Sequence, residues 1–149
     1  MSSAAESPTI VSIGYEQRTV DELIDLLTAN AVSALVDVRL NPISRKKGFS
    51  KKALAQALAD AGIQYRHERE LGNPKDNRDP FRQGLESARQ RYRSHLQNGA
   101  GPVYEQVVNL ANTSRIALLC YERDHAQCHR SCILEAAQSD YPEMNVLQL

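Results

Sequence analysis

The chain has 149 residues, of which 42% are hydrophobic and 24% charged, with eighteen Lys and Arg against eighteen Asp and Glu. That is the size and composition of one folded domain, and it excludes a low-complexity protein. No apolar run reaches the roughly eighteen residues of a membrane helix, and three cysteines within Cys120–Cys132 do not make a secreted disulfide framework.

The segment Met1–Pro8 lacks the basic and apolar regions of a secretory signal. The expectation is a disordered tail over 1–8, then a single domain over 9–149 in a reducing cytosol, with no membrane partner. Thr9–Ile13 reads as a buried first strand ending at Gly14. Thr19 and Glu22 have capping-box spacing, and Val20, Leu23, Ile24 and Leu27 recur at helical period, so a helix runs to about Asn30. Ala34–Val38 is a second strand. Arg39–Ser50 is a loop, and Ser50 is the expected N-cap of a helix that Gly62 closes with a left-handed turn.

Ile63–His67 reads as a short third strand. Glu70–Gln83 is the least structured stretch, and a loop of that length is usually functional or disordered. Helix resumes over Phe81–Asn98, breaks at Gly99–Pro102 and continues to about Ala111. Arg115–Cys120 is a strong strand, His129–Ser139 a final helix and Met144–Leu149 a closing strand. Strands that are apolar throughout and alternate with helices predict an α/β fold. The expected form is a single compact domain, with a mainly parallel sheet of about five strands and helices on both faces.

In such sheets ligands bind beyond the carboxyl ends of the strands. That rule selects Gly14 and Tyr15 after the first strand, Asp37 and Arg39 at the end of the second, Cys120 and Glu122 after the strand from Arg115, and Cys128, His129 and Arg130 at the last helix start. A helix start offers free N–H groups to an anion, Arg130 adds a two-pronged donor, and the same field favours a thiolate at Cys128. Gly14, Tyr15, Asp37, Arg39 and Arg130 are therefore candidate ligand-binding residues. Cys120, Glu122, Cys128 and His129 are candidates for nucleophilic and acid–base work. The plain alternatives are that Cys128 is buried, that Arg130 pairs with Glu122 or Asp37, and that Asp37 only partners Arg39. Cys132 shares an apolar helix face with Ile133, Ala136 and Ala137 and reads as core.

A zinc site is disfavoured by spacing: no C-x₂-C pair exists, and adjacent Cys128 and His129 rarely face the same way. No metal or cofactor is expected. Between Arg39 and His95 there are fourteen Lys and Arg against six Asp and Glu, and elsewhere four against twelve. Arg45, Lys46 and Lys47 flank Phe49, and this cluster is a candidate surface for a phosphate backbone and a stacked base. Otherwise Phe49 belongs to the core and the cations to solvent.

The segments Ser12–Tyr15, Leu35–Arg39, Asn41–Arg45, Gly48–Lys51, Gly62–Tyr65, Glu70–Gly72, Leu118–Glu122 and Cys128–Arg130 form an ordered set. Together they resemble the prokaryotic family known as domain of unknown function 488. The resemblance implies a compact cytosolic α/β domain, bacterial or archaeal. It places Asp37, Arg39, Cys120, Glu122, Cys128, His129 and Arg130 at signature positions, and it supplies no activity. The chain departs from the pattern at 145–149, where a His is expected. The leading functional expectation is a site for a small anionic, phosphate-bearing ligand at Cys120–Arg130, with thiol chemistry. The alternative is a non-catalytic nucleic-acid module using the Arg39–Arg93 surface, and a third reading makes the cluster a structural network.

Overall fold

The computed structural model describes residues 7–149. In chain order it has β1 (Thr9–Gly14), α1 (Val20–Ala29), β2 (Ala34–Asp37), α2 (Lys51–Asp60), β3 (Gln64–His67), α3 (Arg78–Arg82), α4 (Glu86–Gln97), α5 (Gly101–Ala111), β4 (Ile116–Cys120), α6 (Arg130–Asp140) and β5 (Asn145–Gln148). The strands form one wholly parallel sheet in the order β3-β2-β4-β1-β5. This is the α/β architecture that uninterrupted apolar strands predict.

Side chains alternate across each strand, so each strand feeds two cores. Val11, Ile13, Leu35, Ala117 and Leu119 pack with Leu23 and Leu27 of α1 and with Leu54 and Leu58 of α2. Ile10, Val36, Ile116, Leu118 and Cys120 face the other way, onto Tyr92 of α4, Val107 of α5 and Ile133 of α6. Among the described residues, no helix is long and apolar enough to cross a membrane.

Local chemistry sets the boundaries. The Thr19 hydroxyl accepts the Glu22 N–H at 3.1 Å while the Glu22 carboxylate accepts the Thr19 N–H at 2.9 Å, closing the capping box. Ser50 sits at the N-cap of α2, but its hydroxyl bonds the backbone of Ser44 instead of capping. Gly62 follows α2 at φ +77°, the left-handed conformation expected of it.

Three expectations need correction. Residues 1–6 of the anticipated tail lie outside the described residues, whereas Pro8 belongs to the fold, its carbonyl accepting the Asn145 N–H at 2.8 Å. The stretch Glu70–Gln83 is ordered, as 3₁₀ turns at Arg69–Leu71 and Lys75–Asn77 followed by α3. It is pinned from α4: Tyr92 Oη donates to the Leu71 carbonyl, and Asn77 Nδ2 donates to the Ala88 carbonyl at 3.0 Å. The helix expected over Phe81–Asn98 is split into α3 and α4. Gly101 and Pro102 open α5, where the missing proline N–H costs no helical bond.

Candidate functional site

Every strand points its carboxyl end to the same rim. The loops after β1 and β2 leave toward α1 and α2, and the loop after β4 leaves toward α6 on the opposite face. Neighbouring strands whose loops part in this way leave a crevice between them. The crevice here is a cavity of about 170 Å³ whose walls include Tyr15, Arg39, Arg78, Cys120, Glu122, Cys128 and His129. Six of the nine residues selected as catalytic or ligand-binding reach it. Gly14, Asp37 and Arg130 are not in its walls.

Each of those three has another task. A Cβ on Gly14 would overlap the Glu122 carbonyl, so glycine lets the loop after β4 cross the end of β1. Asp37 is fully buried at the end of β2 and holds Arg39 through two bonds, Nε to Oδ1 at 2.9 Å and Nη2 to Oδ2 at 2.7 Å. Arg39 Nη1 spans the Phe49 carbonyl at 2.6 Å and the Tyr15 hydroxyl at 3.4 Å, and Tyr65 Oη donates to Asp37 Oδ2 at 2.6 Å. Burial, and then this bond to the carboxylate, raises the Tyr65 phenol above its ordinary pKa. Asp37 is thus the partner of Arg39 and Tyr65, with no oxygen left to act as a base.

Arg130 is 1% exposed, and Nη2 donates to the backbone carbonyl of Glu122, not to its carboxylate. Its Nε and Nη1 have no partner. Burial pushes its pKa down to about 10, Arg18 pushes the same way, and Glu122 opposes. Arg18 is itself buried with Nη1 unpartnered, and among the described residues neither arginine forms a salt bridge. The Glu122 carboxylate is occupied by Arg82, whose Nε and Nη2 reach Oε1 at 2.9 and 2.7 Å.

Cys120 ends β4 with its side chain toward α6, and Cys128 sits two residues before α6 begins. The two are joined as a disulfide, where the sequence pointed to thiols of a reducing compartment. Their Cα atoms are 7.4 Å apart. The Arg130 N–H donates to Cys128 Sγ at 3.4 Å, so the helix start is turned onto the sulfur. In this state neither sulfur is a nucleophile.

His129 is buried, and its Nε2 lies 2.8 Å from the Val38 carbonyl. A carbonyl only accepts, so Nε2 carries the proton, and Nδ1, 3.6 Å from Cys128 Sγ, bears the lone pair. Desolvation pulls the ring's pKa down to about 4. The expectation that Cys128 and His129 face apart is overturned: Cys120, Cys128 and His129 place their donor atoms within 4.8 Å of one another. Cys132 is buried in the core, and burial raises its thiol pKa.

The basic cluster lies elsewhere. Arg45 and Lys47 are exposed, Lys46 Nζ donates to the Tyr15 carbonyl at 3.3 Å, and none of the three lines the cavity. Phe49 is fully buried and stacked on Tyr15 with ring centroids 4.4 Å apart, leaving no free face for a base. Sequence reasoning missed Arg18 and Arg78. Arg78 belongs to the long Glu70–Gln83 stretch, whose length was the signal. Arg18, beside the capping box, carried none.

No significant match emerges among curated proteins or solved structures. The family model described as Domain of unknown function DUF488 matches residues 19–137, most of the chain, and the protein therefore belongs to that family.

Proposed function

We propose that this protein is a cytosolic prokaryotic binder of a small anion with a phosphate group, held at the rim between β4 and α6. The observation that carries this reading is the pair of buried arginines, Arg18 and Arg130, with unpartnered guanidinium nitrogens and no carboxylate of their own. A buried cation without an ionic partner is costly, and an anionic ligand supplies what the fold leaves out. Exposed Arg78 in the cavity wall adds a third guanidinium with no salt bridge among the described residues. The cavity of about 170 Å³ admits a phosphate-sized group and leaves the rest of a larger ligand outside. That volume is well below the roughly 300 Å³ of an ordinary cofactor pocket. Arg18 and Arg130 are not among its wall residues and contribute charge from behind them, and Arg78 is the wall guanidinium that contacts the anion in this reading. With the Cys120–Cys128 bond closed, the binding reading stands without a covalent step.

Inorganic phosphate is the probe. It raises the melting temperature of the whole chain in a concentration-dependent way, because it binds the folded state only. Arg130→Met keeps the volume and removes the charge. Its melting temperature without phosphate equals or exceeds that of the wild type, and the phosphate-dependent gain disappears. A wild type insensitive to phosphate, or an Arg130→Met variant that keeps the gain, overturns the reading. The nucleic-acid alternative rests on the Arg39–Arg93 surface, where Arg45, Lys47, Lys51 and Lys52 are exposed. It requires salt-sensitive DNA or RNA binding that is lost when Arg45, Lys46 and Lys47 become Ala.

A further inference from the structure

We infer that the reduced chain binds a zinc ion through Cys120 Sγ, Cys128 Sγ and His129 Nδ1, with the fourth position open to the cavity. All three residues are buried, all three line the cavity, and their donor atoms lie within 4.8 Å of one another. Two cysteines and a histidine are a donor set that zinc prefers, and three protein ligands with one open position is the arrangement of a reactive site.

The distances fit. With Zn–S of about 2.3 Å and Zn–N of about 2.0 Å, a tetrahedral ion has an S···N edge of about 3.5 Å. Cys128 Sγ and His129 Nδ1 are already 3.6 Å apart. The Cα atoms of Cys120 and Cys128 stand 7.4 Å apart. That frame is wider than the 4.4–6.8 Å or so usual for disulfides, so it accommodates two sulfurs drawn apart to the S···S edge of about 3.8 Å.

The surroundings are those of a ligand set already oriented. The Val38 carbonyl accepts a hydrogen bond from His129 Nε2–H at 2.8 Å, which fixes the tautomer with its lone pair on Nδ1. The ring is held edge-on to Tyr92, with centroids 5.1 Å apart. The Arg130 N–H meets Cys128 Sγ at 3.4 Å, a donor suited to a thiolate that carries metal. Glu122 Oε2 lies 3.4 Å from Cys120 Sγ, so the open position borders a carboxylate as well as the cavity.

The thiols arise by exchange with a dithiol reductant: the Cys120–Cys128 bond breaks, each sulfur gains one electron and one proton, and the reductant becomes a disulfide. When zinc binds, both S–H bonds break, two Zn–S bonds form, and two protons leave to solvent. Binding is therefore redox-gated, with the closed disulfide excluding the metal.

The test uses the whole chain, reduced with a phosphine under argon, freed of reductant and titrated with cobalt(II) alone. No phosphate is present, so failure here is separable from failure of the anion site. The expected result is one equivalent of cobalt with sulfur-to-metal charge-transfer bands and tetrahedral visible bands, displaced by zinc. Cys120→Ser, Cys128→Ser and His129→Gln, each losing a direct ligand, weaken uptake by more than the roughly 10- to 100-fold of an outer-shell change, with the sulfur bands retained in His129→Gln. Cys132→Ala changes nothing. Should a variant fail to fold, the wild type decides: zinc protects Cys120 and Cys128 from alkylation, mapped by mass spectrometry, and leaves the labelling of Cys132 unchanged. Absence of charge-transfer bands, or alkylation of Cys120 and Cys128 indifferent to zinc, overturns the assignment.

Discussion

Asp37 is fully buried, and the fold tolerates its carboxylate there because Arg39 and Tyr65 meet both of its oxygens. Asp37→Asn leaves the Arg39 guanidinium buried and unbalanced. The expected loss is about 3–5 kcal/mol in urea denaturation, against about 1.5–3 kcal/mol for Tyr65→Phe, which deletes one charge-assisted bond. An Asp37→Asn variant as stable as the wild type would show that the pair is not what holds the end of β2 to Phe49 and to Tyr65 of β3. His129 sets a pH limit on the metal-free chain. Its folded pKa of about 4 lies below the roughly 6.5 of an unfolded histidine. Between those values the unfolded state takes up the proton, so this stability is whole above about pH 6.5 and drains away as pH falls toward 4. Denaturation at several pH values checks this, with His129→Gln expected to show the shallower dependence. Sequence pattern located Asp37, Arg39, Cys120, Glu122, Cys128 and His129 at the rim because strand ends and helix starts are written in local periodicity. It could not tell that Asp37 is spent on Arg39, or that Cys128 and His129 converge, since both depend on side-chain directions fixed by distant Tyr65 and Val38.

Among the elements, α1 is stabilised by a cap that involves its own residues alone, so its energetics are transferable. Thr19→Ala removes the acceptor of the Glu22 N–H and is expected to cost about 1 kcal/mol. Gly62→Ala places a Cβ at φ +77°, in open space, and is expected to cost about 1–2 kcal/mol through backbone strain alone. Thermal or chemical denaturation checks both, and a neutral Gly62→Ala would mean that the turn after α2 relaxes. Boundaries in this half of the chain were readable because caps and glycines are local signals. The region from Arg69 to Arg82 was not, because pieces of three to five residues are too short to show a period. Their order comes from Tyr92 and Asn77, that is, from tertiary bonds to α4.

For the whole molecule, the sheet order puts fully buried β4 in the middle and the half-exposed β3 and β5 at the two edges. Amide hydrogen exchange is expected to be slowest over Ile116–Cys120 and fastest, among the strands, over Asn145–Gln148 and Gln64–His67. Equal protection of β4 and the edges would point to a single cooperative unit reaching both edges. The same order has a consequence in time. Ile10 pairs with Ile116 on one side and Val146 on the other, so β1 has no partner until more than a hundred later residues have been threaded into place. Only β2 and β3, linked by α2, form a nearby parallel pair. Assembly therefore pays its loop-closure entropy late and runs slowly for a chain of this size. Meanwhile the Val11–Ile13 segment, one of the stickiest stretches of the molecule, stays available to neighbouring copies.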